Sequence, residues 1–238
     1  MKITKEMLRR FYGWSVKPTI EECAEKAYKD LCRTLNFSIP VSKLNKKKKE
    51  EKEKYIVLKR TFREKVGRDI NIRIVELLKE PEKPFEDWHK EMCEHIIGLA
   101  KGAFIELFNK DKKTGEEFHY GQAQKWVNMT FKNMIIAELP ECEDLKKVER
   151  CLHVPMDMYT MEAAFDLQVP LPSKNGCMKK FKEFNIDKYL PWSKWDRAQY
   201  KKVQTELREA IKENYPGKSP LDWEFEAWIE KRDSNNNL

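Results

Sequence analysis

No segment of this 238-residue chain approaches the roughly 20 consecutive apolar residues that a membrane-spanning helix needs. The opening residues, Met1–Glu6, lack the apolar run of a secretory leader. The expectation is therefore a cytoplasmic protein with no membrane partner. Six cysteines are present (Cys23, Cys32, Cys93, Cys142, Cys151 and Cys177), but no two stand at CxxC spacing. That argues against a structural zinc site and leaves reduced, partly buried thiols as the simplest reading. Histidine is scarce, and His89 and His95 lie six positions apart rather than the four that put two ligands on one helix face. No metal or cofactor is expected. Only 8 residues are glycine, and alternation of β-branched with polar residues is nearly absent, which argues against strands.

What remains is a chain of helix formers. Hydrophobic residues make up 40% of it, with 12 Phe, 7 Trp and 8 Tyr, enough for a sizeable core. Charged residues make up 37%, and the net charge is +7. That surplus permits a polyanionic partner without demanding one. Because basic and acidic residues interleave, a basic face must be made by folding. The fold class expected is all-α: one helical domain over residues 1–232, or two helical lobes with a cleft between them. Residues 233–238 read as a disordered tail.

The periodicity predicts a helix over 18–36, with Thr19 and Glu22 as a capping box. A loop holding Pro40 follows over 37–45, then a charge block over 46–54 that reads best as a solvated helix face. Apolar positions resume from Tyr55 to Leu78, and Pro81 and Pro84 break the pattern. A helix over 85–109 reads as the central core helix. A turn over 109–115 leads to a helix over 118–138. Shorter helices are expected over 143–151 and from Asp157 to Asp166, with an irregular loop over 169–176. Ser193 is the expected cap of a helix striped by Trp195, Ala198, Val203, Leu207 and Ala210. Ser219 and Pro220 open the last helix, which carries Trp223, Phe225 and Trp228.

Two segments carry candidate chemistry. In the first, Lys125 stands four residues after Gly121 at the start of a helical pattern. Lys125, Asn128 and Lys132 share one face of that helix. Taken alone, they read as a polar stripe facing water. In the second, Asp157 follows Pro155 at a helix start, where an aspartate commonly serves as an N-cap worth about 1 kcal/mol.

Together the segments resemble the helix-hairpin-helix DNA glycosylases. That family carries a Gly-x-Gly-x-Lys hairpin entering a helix and, downstream, a Val-Pro-Val-Asp segment capping another. Gly121–Lys125 has the same glycine-to-lysine spacing, and Val154–Asp157 nearly repeats the second motif. Ala123 replaces the second glycine, so the hairpin is degenerate. The 32 residues from Lys125 to Asp157 are most similar in spacing to the archaeal 8-oxoguanine DNA glycosylase branch. The cysteine set of the iron–sulfur members is missing, so the resemblance implies no cluster.

The resemblance implies a monomeric enzyme that excises a damaged or modified base from DNA, in genome repair or in defence against phage DNA carrying modified bases. Lys125 matches the catalytic lysine and Asp157 the catalytic aspartate. Trp126 and Tyr120 are near enough in sequence to wall an amine pocket. Trp223 is a candidate aromatic face for a flipped base, with a core tryptophan as the alternative. Gly121, Gln122, Gln124 and Asn128 could approach base edges or phosphate. Lys179, Lys180, Lys201 and Lys202 could meet phosphates. Two other readings stay open: a non-catalytic helical nucleic-acid binder, and a protein-interaction module with a solvated Lys125.

Overall fold

A computed structural model describes residues 6, 9–10, 13–14, 17–35, 49–79, 84–108 and 118–236. The expected loop over 37–45, residues 46–48 of the charge block, the break at Pro81 and the turn over 109–115 lie outside the described residues.

Helix α1, Ile20–Leu31, begins where the sequence signals it. Thr19 accepts from the Glu22 N–H, and the Glu22 carboxylate accepts from Thr19 N at 2.7 Å. Its buried face is Ile20, Cys23, Ala24, Ala27, Tyr28 and Leu31. A 3₁₀ turn, Cys32–Thr34, ends it earlier than the apolar spacing suggests. Helix α2, Lys49–Lys79, runs unbroken for 31 residues. Its first two turns hold the described part of the charge block, largely exposed, as a solvated face requires. Phe62, Val66, Ile70, Ile74 and Leu77 then turn inward. Helix α3, Phe85–Phe108, follows Pro84 and buries Trp88, Met92, Cys93 and Ile96.

The central helix is not α3, as the pattern predicts, but α4, Tyr120–Ala137. Every residue of α4 except Ile135 is buried, because α1, α3, α7 and the 3₁₀ turn Trp192–Lys194 all pack on it. Its polar residues hide the burial from hydropathy. It ends where Glu138 takes a left-handed conformation at φ 52°, just before Pro140.

Where one helix is expected over 143–151, a short α5, Cys142–Leu145, and a 3₁₀ turn, Glu149–Cys151, are found. Helix α6, Met158–Asp166, starts after Asp157. The stretch expected to be an irregular loop contributes β1, Leu171–Pro172, which pairs antiparallel with β2, Met178–Lys179. Gly176, at φ +83°, closes the turn between them. Helix α7, Arg197–Asn214, is capped by Asp196, whose carboxylate accepts from Gln199 N at 2.8 Å, and not by Ser193. Ser193 lies one turn earlier, in the 3₁₀ turn. Tyr200, Val203, Gln204, Leu207 and Ile211 form the inner stripe of α7, while Ala198 is exposed. Helix α8, Pro220–Asn236, packs on α6. It continues through Asp233–Asn236, where the sequence suggests a disordered tail; residues 237–238 lie outside the described set. One core cluster extends from Ile20 to Trp223, so the chain is a single all-α domain. Among the described residues, no helix is long and apolar enough to cross a membrane.

Candidate active site

The approach to Asp157 is an extended segment, Leu152–Met156, buried along its length. Gln204 of α7 acts on it like a neighbouring strand. Its amide donates to Val154 O at 2.7 Å and accepts from Val154 N at 3.0 Å. The chain then turns into α6, and Asp157 caps it. Asp157 Oδ1 accepts from Thr160 N at 3.0 Å, while Asp157 N donates to Thr160 Oγ1 at 2.6 Å. The cap thus occupies Oδ1 and leaves Oδ2 for other partners. Lys125 Nζ and Trp228 Nε1 both donate to Oδ2, each at 3.1 Å.

Lys125 does not face water. Lys125 and Lys132 are each 3% exposed and Asn128 is 1% exposed, so the polar stripe of α4 points into the protein. Such a stripe is tolerated only if each group finds a partner. Lys132 Nζ donates to Glu224 Oε1 of α8 at 2.7 Å, which makes a second buried pair seven residues along the same helix. The two pairs differ in one respect. The Glu224 side chain is 0% exposed, whereas that of Asp157 is 24% exposed. One pair is sealed, and the other meets solvent at its carboxylate.

The charges respond accordingly. Burial pushes the Asp157 carboxyl up, but the Lys125 ammonium, the Thr160 N–H and Lys132 outweigh it, and the net shift is down. Asp157 is ionised at neutral pH. Burial dominates at Glu224 and leaves it above the ordinary glutamate value despite Lys132.

Aromatic rings surround the open pair. The Trp192 ring centre lies 5.7 Å from Lys125 Nζ, and Tyr159 packs edge-on against Trp228 at 5.6 Å. Below them, Lys132 Nζ is 5.0 Å from the Phe225 ring and 5.6 Å from the Trp228 ring. Gly121 sets the position of Trp192. A Cβ at Gly121 would lie 1.9 Å from the Trp192 carbonyl oxygen, and Gly121 N donates to Trp195 O at 2.9 Å. The glycine is needed for a loop to lie against the first turn of α4, and that place is taken by protein, not by phosphate.

Several sequence candidates sit elsewhere. Trp126 is fully buried on the α1 side, where its indole donates to Ala24 O at 2.8 Å. It is a core residue and walls no amine pocket. Trp223 is 3% exposed within the core, and Trp228, five residues on, reaches the carboxylate instead. Gln122 closes the N-terminus of α4 by accepting from His119 N and donating to Thr34 O. Gln124 donates to Gly121 O and accepts from Asn128 Nδ2.

Asn128 and Tyr120 belong to a buried network. His89 donates to Asn128 Oδ1, Asn128 to Tyr200 Oη, Tyr200 to His153 Nδ1, and His153 to Glu86. Tyr120 Oη lies 3.4 Å from His89 Nδ1. The donors and acceptors of this relay are matched when both imidazoles are neutral. Gln122, Gln124 and Asn128 are thus committed internally and do not reach base edges. A cleft of about 630 Å³ lined by Asp69, Arg73, Trp88 and His95 lies between α2 and α3, away from the pair.

Sequence reasoning brings Lys125 and Asp157 together correctly, but among the C-terminal tryptophans it picks Trp223 where Trp228 and Trp192 are the neighbours, and it misses Glu224. The sequence does not single out Glu224: Asp222, Glu224 and Glu226 alternate with aromatics, and only the fold buries the middle one. No family model, curated protein or solved structure matches the chain.

Proposed function

We propose that this chain is a DNA glycosylase that releases a damaged or modified base, with Lys125 and Asp157 as its catalytic pair. One observation carries the reading: a buried amine lies 3.1 Å from a partly exposed carboxylate whose other oxygen is locked in a helix cap. The resemblance to helix-hairpin-helix glycosylases rests on those same two residues.

The chemistry follows from their positions. A target base must leave the stack before its glycosidic bond is reachable, and aromatic faces such as Trp192 and Trp228 suit a flipped base. As the C1′–N bond breaks, its electron pair leaves with the base and positive charge grows on the sugar. A carboxylate fixed by Thr160, Trp228 and Lys125 needs no reorganisation to stabilise that charge. Attack at C1′ requires the free amine of Lys125, and Asp157, its hydrogen-bond partner, is the group placed to take the proton. The amine replaces the base at C1′. The C1′–O4′ bond then breaks, its electron pair going to O4′, which takes up a proton. The resulting iminium permits β-elimination, in which a 2′ proton is lost and the 3′ C–O bond breaks. Water then releases the lysine. If a water attacks C1′ in place of the amine, Asp157 is its base and no strand break follows.

A scaffold role is the second reading, favoured by the sealed Lys132–Glu224 pair, which has the same groups and no opening. The substitution Asp157→Asn separates the two, because asparagine still caps a helix. Under the catalytic reading, base release falls by orders of magnitude while the fold and DNA affinity persist. If base release persists at the wild-type rate, or fold and affinity are lost together, the catalytic reading is wrong.

A further inference from the structure

One stretch of this chain is strongly basic. Between Lys174 and Lys202 stand nine Lys and Arg against three acids, a surplus of six, while the whole chain has a net charge of +7. The remaining residues sum to about +1, their own basic stretches at 1–17 and 43–49 being offset by acids elsewhere in the sequence. All nine basic side chains are exposed. Among the described residues, only Arg197 of the nine has an acid within ion-pair range, Glu94 at 3.9 Å. Three acids stand among them, Glu183, Asp187 and Asp196, but among the described residues none of the three is in ion-pair range of a basic residue of this stretch.

Folding gathers the lysines. Lys174 N donates to Lys188 O at 3.2 Å, so two of the lysines share a backbone hydrogen bond across the loop. Lys179 lies in β2, opposite Leu171. Gln199 donates to Gly176 O, which ties that turn to the start of α7, where Lys201 and Lys202 project. The layer continues into the turn Trp192–Lys194, and Trp192 is the ring beside Lys125. The basic stretch thus reaches the Lys125–Asp157 pair through Trp192, two residues before Lys194.

We propose that the exposed surface of residues 174–202 is the docking surface for the phosphate backbone of DNA, and that it holds the duplex on the Trp192 side of the Lys125–Asp157 opening. This rests on the DNA reading above and extends it by assigning the surface that makes contact. A surplus of six in 29 residues suits a polyanion with regularly spaced charge, and such binding is governed by counterion release.

The test is fluorescence anisotropy of a labelled DNA duplex over a salt series, using the full chain. The variant Lys179→Gln/Lys180→Gln/Lys201→Gln/Lys202→Gln is compared with a control neutralising four exposed lysines elsewhere, Lys29, Lys49, Lys54 and Lys79. Each phosphate contact contributes about 0.9 to the slope of log affinity against log salt. The first variant should lose about 2 or more units of slope, and the control should keep the wild-type value. A wild-type slope in the first variant overturns the assignment, and so does an equal loss in the control. Polyglutamate displacing the DNA with equal affinity also overturns it, in favour of an acidic protein partner. The two proposals fail separately. Wild-type protein that binds with the expected slope but never releases a base refutes the glycosylase reading alone. Base release by a lysine variant of unchanged slope refutes the docking surface alone.

Discussion

Replacing each buried lysine of α4 by methionine separates a structural pair from a working one. Lys132→Met leaves the Glu224 carboxyl at 0% exposure with no counter-charge. Removing one member of a sealed pair costs about 3–5 kcal/mol. Glu224 already lies above the ordinary glutamate value, so it will take up a proton and recover part of that loss. Lys125→Met is gentler. Asp157 is 24% exposed and keeps the Trp228 and Thr160 N–H donors, so one charge-assisted hydrogen bond is lost, about 1.5–3 kcal/mol. Methionine matches lysine in length and leaves no large cavity in either case. Urea denaturation at pH 7 should place Lys132→Met well below Lys125→Met in stability. Thermal melts should follow at roughly 2–4 °C per kcal/mol. At a temperature where both variants are folded, Lys132→Met should retain base release and Lys125→Met should lose it. Equal destabilisation by the two substitutions would rule out this distinction, because the exposure of Asp157 would then have no energetic consequence.

Trp228→Phe keeps an aromatic ring but removes the N–H that donates to Asp157 Oδ2. The Asp157 carboxyl should titrate at higher pH in the variant, followed by carbon NMR of the carboxyl, and an unchanged titration would contradict the assigned role. Gly121→Ala puts a Cβ 1.9 Å from the Trp192 carbonyl oxygen, a clash with backbone that should cost about 1–3 kcal/mol or more and shift Trp192 away from Lys125. Urea denaturation checks the first effect, and a variant of wild-type stability would show that the turn does not lie where described. His89 and His153 are both held below the ordinary imidazole value, chiefly by burial. Below pH about 6.5 the unfolded chain therefore binds more protons than the folded one. Their contribution to stability is full above that pH and is lost as pH falls through it. Denaturation midpoints at pH 7.5 and 5.5 should differ in that direction, and His153→Gln should reduce the difference.

Much of the fold was legible where apolar spacing and caps agree. Thr19 and Glu22 mark the start of α1, Asp157 that of α6, and Ser219 and Pro220 that of α8. Helix α4 was legible as a helix but not as the centre of the molecule. Hydropathy scores Gln124, Lys125, Asn128 and Lys132 as surface residues, and their partners lie 32 to 92 residues away along the chain or within the helix itself. The cap of α7 was misplaced because Ser193 and Asp196 are both competent, and the reciprocal bond with Gln199 chooses between them. At the site, the pairing of Lys125 with Asp157 could be anticipated from motif resemblance. The arrival of Trp228 rather than Trp223 could not, because it depends on how α8 rolls against α6. The basic layer was half legible: the lysines are visible in the sequence, but only folding brings Trp192, within residues 174–202, beside Lys125.

Borohydride trapping on DNA carrying a panel of modified bases reads the chemistry at Lys125 and Asp157 itself. A covalent protein–DNA adduct should form with wild-type protein and be lost in Lys125→Met and in Asp157→Asn. Alkali-labile abasic sites without an adduct would keep base excision and assign the attack to water activated by Asp157. Neither adduct nor abasic sites on any modified DNA would rule out base excision and leave Lys125 and Asp157 as a buried structural pair.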